Sequence, residues 1–78
     1  MNEQYLMSEL ETGQIAKIIS LSSKGPLRRR FFDIGLVPGT EVSCVGVSPL
    51  GDPKAYLVRG MVVAVRSDDA KGIVVEYN

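Results

Sequence analysis

The densest concentration of functional chemistry in this chain of 78 residues is Arg28-Arg29-Arg30. These consecutive guanidinium groups, with Lys24 close by, are rigid forks of donors that recognise carboxylates and phosphates. Elsewhere reactive groups are scarce. Histidine is absent, which removes the commonest general base and the commonest transition-metal ligand. Cys44 is the single cysteine. Without histidine it builds neither a zinc site nor a Cys–His pair, and inside a strand it reads as a small buried hydrophobe. Asp68 and Asp69 are too few for a hard-cation cage and suit the start of a helical turn. No Gly-rich phosphate loop of the Walker or dinucleotide type occurs. The residues imply no catalytic centre, no cofactor and no metal site, so the chain reads as a binding module and not an enzyme.

The arginines need an element to present them, and Gly25–Gly39 supplies it. Pro26 suits the first helical position, where its missing N–H is not needed. Gly35 suits the position just past the end, in a left-handed conformation. Between them Leu27, Phe31 and Ile34 recur at i, i+4 and i+7, the apolar stripe of a short helix over 26–34. Arg28, Arg29 and Asp33 fall on the opposite side. Arginine in the first turn and aspartate near the last reverse what the helix dipole favours. Local helix stability therefore does not account for these charges, which either solvate the surface or meet a partner.

The remaining sequence is patterned for strands at Gln14 to Leu21, Thr40 to Val47, Lys54 to Arg59, Met61 to Arg66 and Ile73 to Tyr77. Ala16 and Ile18 share one face of the first strand, opposite Ile15, Lys17 and Ile19; Val42 and Cys44 share one face of the second. Gly46 marks a bulge or bend that lets a small sheet curl. Pro49-Leu50-Gly51-Asp52-Pro53 is a dense turn, and Gly60 joins the third and fourth strands tightly. Ser8 followed by Glu11 resembles a capping box, predicting a helical turn near 8–11 that lays Leu6 and Leu10 over an open edge or end of the sheet. A second turn is expected near 68–71, capped by Ser67 or Asp68 and ended by Gly72. The fold class is mainly β: a small five-stranded bent sheet or partly open barrel plugged by one short helix.

Residues 1–78 form a single domain, since this length leaves no room for a second core. So small a domain buries only about 60% of its chain surface, and weak homo-oligomerisation is one route to extra stability. Nine basic residues balance nine acidic ones. That balance argues against nonspecific nucleic-acid binding and against a polybasic membrane anchor. No signal-peptide pattern opens the chain and no apolar run is long enough to span a bilayer, so a reduced cytoplasmic domain is expected.

One candidate partner surface follows from strand alternation. If Tyr56, Val58, Met61, Val63 and Val65 face the core, the outer face of the hairpin presents Leu57, Val62 and Ala64, flanked by Arg59 and Arg66. An apolar centre with a charged rim is how a recognition patch is built. The competing arrangement covers that face with the Leu6/Leu10 segment. The second candidate surface is Arg28, Arg29 and Arg30 with Lys24.

The motifs taken in order are similar to those of the FeoA domain family, named for ferrous iron transport protein A. The resemblance rests on Gly25-Pro26-Leu27-Arg28-Arg29-Arg30-Phe31-Phe32-Asp33-Ile34-Gly35-Leu36-Val37-Pro38-Gly39, on Pro49-Leu50-Gly51-Asp52-Pro53, on Val58-Arg59-Gly60, and on Ala64-Val65-Arg66 with the Asp68-Asp69-Ala70 turn. Met7-Ser8-Glu9-Leu10 and Gly13-Gln14 also fit, so nearly the whole chain is covered. Phe31-Phe32, where aliphatics are usual, and Ser48, in place of a small apolar residue, depart mildly from the pattern. The resemblance implies an SH3-like fold and a stand-alone accessory protein of bacterial ferrous iron uptake. Its implied partner is a FeoB-type GTPase permease, reached at the inner face of the membrane through that partner and without direct insertion. The same domain occurs at the C-terminus of metal-dependent repressors, so a repressor-related domain, or another protein- or nucleic-acid-interaction module, is the alternative.

Overall fold

The computed structural model describes residues 3–77. Six antiparallel strands form one open sheet in the order β1-β6-β2-β3-β4-β5. They are β1 (Gln4–Leu6), β2 (Ile15–Leu21), β3 (Glu41–Val47), β4 (Lys54–Val58), β5 (Met61–Val65) and β6 (Ile73–Glu76). Helix α1 (Gly25–Ile34) connects β2 to β3, and the short α2 (Ser67–Ala70) connects β5 to β6. The mainly β bent sheet expected from the sequence is therefore present, with six strands in place of five. The additional strand, β1, is only three residues long, too short to display a period, and exists because β6 offers it a pairing edge.

Alternation along the strands fills the core as the sequence predicts. Ala16, Ile18, Val42, Cys44, Tyr56, Val58 and Val65 are buried, with Ile73 and Val75 from β6. The β3–β4 register shifts between Cys44 and Gly46, the bulge that Gly46 predicts. A second shift, between Ile18 and Ser20, interrupts the β2–β6 pairing.

Helix α1 ends as its sequence dictates. Gly35 has φ 97°, and the Leu36 N–H donates to the Phe31 carbonyl at 2.8 Å, closing the last turn through a left-handed residue. The stripe packs inward, with Phe31 buried and Leu27 and Ile34 half-buried against the core. Loops clamp both ends of the helix. The Ser22 N–H donates to the Gly72 carbonyl at 2.7 Å, and the Gly39 N–H donates to the Ile18 carbonyl at 2.7 Å.

The N-terminal segment differs in detail from expectation. A 3₁₀ turn occupies Met7–Glu9, and its reciprocal partners are not Ser8 and Glu11. The Leu6 N–H donates to the Glu9 carboxylate at 2.8 Å, and the Glu11 N–H donates to Gln14 Oε1 at 2.7 Å. Met7 and Leu10 are fully buried. Lys54 Nζ donates to the carbonyls of Ser8 at 2.8 Å and Leu10 at 2.7 Å, while the Tyr56 hydroxyl donates to the Met7 carbonyl at 3.2 Å. The segment thus pairs with β6 on one side and is tied to β4 on the other, which holds the sheet in its curl. Burial pushes the Tyr56 phenol up to about 12, with Cys44 and Asp52 adding to the effect.

Helix α2 is capped from a distance. Asp52 Oδ1 accepts from the Ser67 N–H at 2.9 Å and from the Ser67 hydroxyl at 3.1 Å, replacing the local Ser67 or Asp68 cap. Gly72 is not left-handed. A Cβ there would lie 2.9 Å from Ser23 Oγ, so its role is close approach to the loop that leads into α1.

Candidate partner-binding surfaces

Strand β5 anchors both candidate surfaces. Its hairpin with β4 turns through Arg59 and Gly60, whose φ values of 51° and 79° are those of a type I′ turn. Arg59 is therefore a turn residue and not the last residue of the strand. Its side chain leaves the hairpin face and lies against the end of α1: a Cβ at Gly35 would sit 2.6 Å from Arg59 Cδ. A cation there is favoured by the carbonyl end of the helix.

The outer hairpin face is set by the β4–β5 register. Leu57 lies opposite Val62 and Ala55 opposite Ala64, and both Leu57 and Val62 are exposed, Val62 at 65%. The Leu6/Leu10 segment does not cover this face. Leu10 is in the core, and β1 sits at the far edge of the sheet.

Ile15 extends the patch and was not among the residues expected in it. The register Ile15–Ser43, Ser43–Leu57 and Leu57–Val62 places Ile15, Leu57 and Val62 in one row across β2 to β5, with the polar Ser43 between Ile15 and Leu57, and Ile15 is 57% exposed. The outward isoleucine in β2 was its sequence signal, unreadable as patch without the register. Met61, expected inside, is 52% exposed. Coverage of the inner face of β5 falls from buried Val65 through half-buried Val63 to Met61, because a strand paired on one side only is left bare where α1 no longer reaches it.

The arginine cluster divides three ways. Arg28 Nη1 donates to the Leu21 carbonyl at 3.1 Å, and its guanidinium stacks 4.7 Å from the Phe32 ring centroid. This arginine orders the start of α1 and gives Phe32, 40% exposed, a partner. Arg29 faces solvent. Arg30 faces β5 across a cleft of about 530 Å³, floored by Leu27, Phe31, Ile34, Val63 and Val65 and bordered by Arg66 and Asp69. The fold thus sets Arg30 and Arg66 on the border of one cleft, and places Leu57 and Arg59 around a separate hollow of about 320 Å³ that Glu41 also lines. Among the described residues the one ion pair is Lys71–Asp68 at 3.5 Å, so Arg29, Arg30 and Arg66 keep unneutralised charges. Among the described residues no group of three or more His, Cys, Asp or Glu could hold a metal ion. No helix among them is long and apolar enough to cross a membrane.

Comparison with known proteins places this geometry. The FeoA domain family matches residues 5–77. A curated relative from Porphyromonas gingivalis, described as an Fe(2+) transport protein A/Fe(2+) transporter FeoB fusion protein, is 37% identical over 70 residues, covering 90% of this chain. The chain spans only 8% of that relative's length. The solution structure of the FeoA protein from Chlorobium tepidum superposes with a TM-score of 0.85 at 37% identity, covering 91% of this chain and 68% of that one. The zinc-complexed FeoA of Stenotrophomonas maltophilia, described as a prokaryotic SH3 domain protein, superposes with a TM-score of 0.80 at 31% identity, covering 91% and 88%.

Proposed function

The chain belongs to the FeoA domain family, and on that premise we propose that it is a non-enzymatic accessory domain of ferrous iron uptake that binds the FeoB-type GTPase permease and modulates it. The observation that carries this reading is the Porphyromonas gingivalis relative, in which an FeoA segment and an Fe(2+) transporter share one polypeptide. A covalent link keeps two modules at high effective concentration, which separate chains must replace with affinity. The family's role in ferrous iron transport and the scarcity of catalytic side chains support the same reading.

Docking uses the outer face of the β4–β5 hairpin, with Leu57, Val62 and Ala64 as the apolar centre and Arg66 at its margin. Arg29 and Arg30, free of carboxylate partners among the described residues, steer the encounter with an acidic surface near the inner membrane. Arg28 and Arg59 contribute indirectly, by ordering the two ends of α1.

The test is co-purification of the tagged chain with the full-length permease of the same organism and, separately, with its GTPase domain. Retention with at least one is expected, lost when Leu57 and Val62 are both replaced by glutamate. Reproducible failure with both would overturn the reading.

A further inference from the structure

We propose that β5 is a strand-addition site, where an extended apolar segment of a partner protein, carrying an acidic side chain, pairs with its free edge in the cleft beside α1. This extends the docking surface from the outer hairpin face onto the free edge of β5 and rests on the reading that the partner is the permease.

The hairpin geometry fixes which backbone groups are free. The residues flanking a two-residue turn exchange hydrogen bonds. Val58 and Met61 flank the Arg59–Gly60 turn, so Met61, Val63 and Val65 direct their N–H and C=O groups to β4. Val62 and Ala64 direct theirs away. Among the described residues no strand lies on that side, because β5 ends the sheet. Proteins blunt such edges with lysine, proline, bulges or short strands. Met61-Val62-Val63-Ala64-Val65 contains no charge and no proline, and its pairing with β4 runs without a register shift.

The cleft lies along this edge. Val63 and Val65 from one face of β5 line it together with Ala64 and Arg66 from the other, and only a space beside the strand can touch both faces. An added strand would therefore find ladder partners in Val62 and Ala64 and an apolar wall in α1.

Charge selects the occupant. Arg30 and Arg66 border the cleft against a single carboxylate, Asp69, and neither arginine is ion-paired among the described residues. An acidic side chain at one end of the segment meets both. A second copy of this chain fits worse. Neither β5 nor the residues at its two ends, Gly60 and Arg66, include an acid, so a second β5 strand would bring Arg30 and Arg66 no carboxylate.

Amide exchange resolved by residue tests the site, using two probes. One is a short, end-blocked peptide alternating valine and threonine with a single terminal glutamate, compared with its lysine counterpart. The other is the full-length permease in detergent. Both the glutamate peptide and the permease are expected to slow exchange at Val62 and Ala64. The glutamate peptide is expected to bind about tenfold tighter than the lysine one, the size of one charge-assisted hydrogen bond. Ala64→Pro removes an outward N–H while leaving the β4 ladder intact, and is expected to abolish binding that Ala64→Val retains. Exchange in the unmodified chain keeps the test valid if the proline variant fails to fold.

If the peptide protects Val62 and Ala64 but the permease does not bind, the strand site stands and the permease reading fails. If the permease binds while those amides exchange as before, the reading stands and the strand site is overturned. Protection by neither probe overturns the strand site. Protection that grows with the concentration of the chain alone overturns the choice of occupant.

Discussion

The two edges of the sheet are managed in opposite ways. At one edge β1 contributes three residues, pairs with β6, and leads into a turn fastened to β4 by Lys54 and Tyr56. At the other, β5 runs five apolar residues with nothing among the described residues paired beyond it. The first edge uses buried Met7 and Leu10 to finish the core. The second leaves Met61 and Val62 more than half exposed. A domain this small has little stability to spare, so an apolar edge left uncovered points to use by a partner.

Substitutions on each side test that contrast, beginning with the largest effect. Phe31→Ala removes the ring that seats α1 against the sheet and is expected to cost about 3–5 kcal/mol, measured by chemical denaturation. Loss of the α1 wall should also abolish binding at the β5 edge. A cost below about 1 kcal/mol would mean that the helix is not anchored by this ring.

Lys54→Met removes charged donors from two carbonyls and is expected to cost about 2 kcal/mol. Exchange should accelerate in β1 while β5 stays unchanged. Equal acceleration at both edges would erase the distinction between them.

Tyr56→Phe is expected to cost about 1 kcal/mol at neutral pH through its bond to the Met7 carbonyl. Its larger signature is alkaline. The folded phenol titrates near 12 and the unfolded one near 10, so below pH 10 both states hold the proton and the stabilisation is complete. Between pH 10 and 12 the unfolded chain releases its proton first, and the protein loses on the order of 2 kcal/mol. The phenylalanine variant should lack that part of the decline, read from denaturation midpoints across the interval. Tyr5, held up by its bond to Glu3, and Tyr77, held up by burial, also shift upward, and both remain in the variant for comparison.

Arg29→Glu has the smallest expected effect on folding. An anion in the first turn of α1 should leave stability unchanged or raise it by a few tenths of a kcal/mol. Association with the permease should slow and lose part of its salt dependence. A substantial loss of stability would make Arg29 structural, as Arg28 is.

Where folding information is local, the sequence displays it. Pro26 and Gly35 bracket α1, alternation sorts the faces of β2, β3 and β4, and Gly46 bends β3. What could not be read depends on residues far apart in the chain. Strand β1 exists because β6 is beside it. Helix α2 is capped by Asp52 across 15 positions. Arg59 looked like the end of a strand because arginine rarely takes φ 51°, and its contact with Gly35 is tertiary. Of the candidate site, the outward placement of Leu57, Val62 and Ala64 followed from strand period, while the pairing of Leu57 with Val62 is set by the Arg59–Gly60 turn. The division of labour among Arg28, Arg29 and Arg30 did not, since it depends on the Leu21 carbonyl, the Phe32 ring and the position of β5. Ile15 joined the patch only through register.

The central claim is that the chain meets its partner along β5. The most direct measurement is amide exchange at Val62 and Ala64 in the complex with the permease, recorded together with β1. Slowing at Val62 and Ala64 with β1 unchanged is the predicted result. Demonstrated binding that leaves both amides exchanging as in the free chain, or that protects β1 instead, would contradict it.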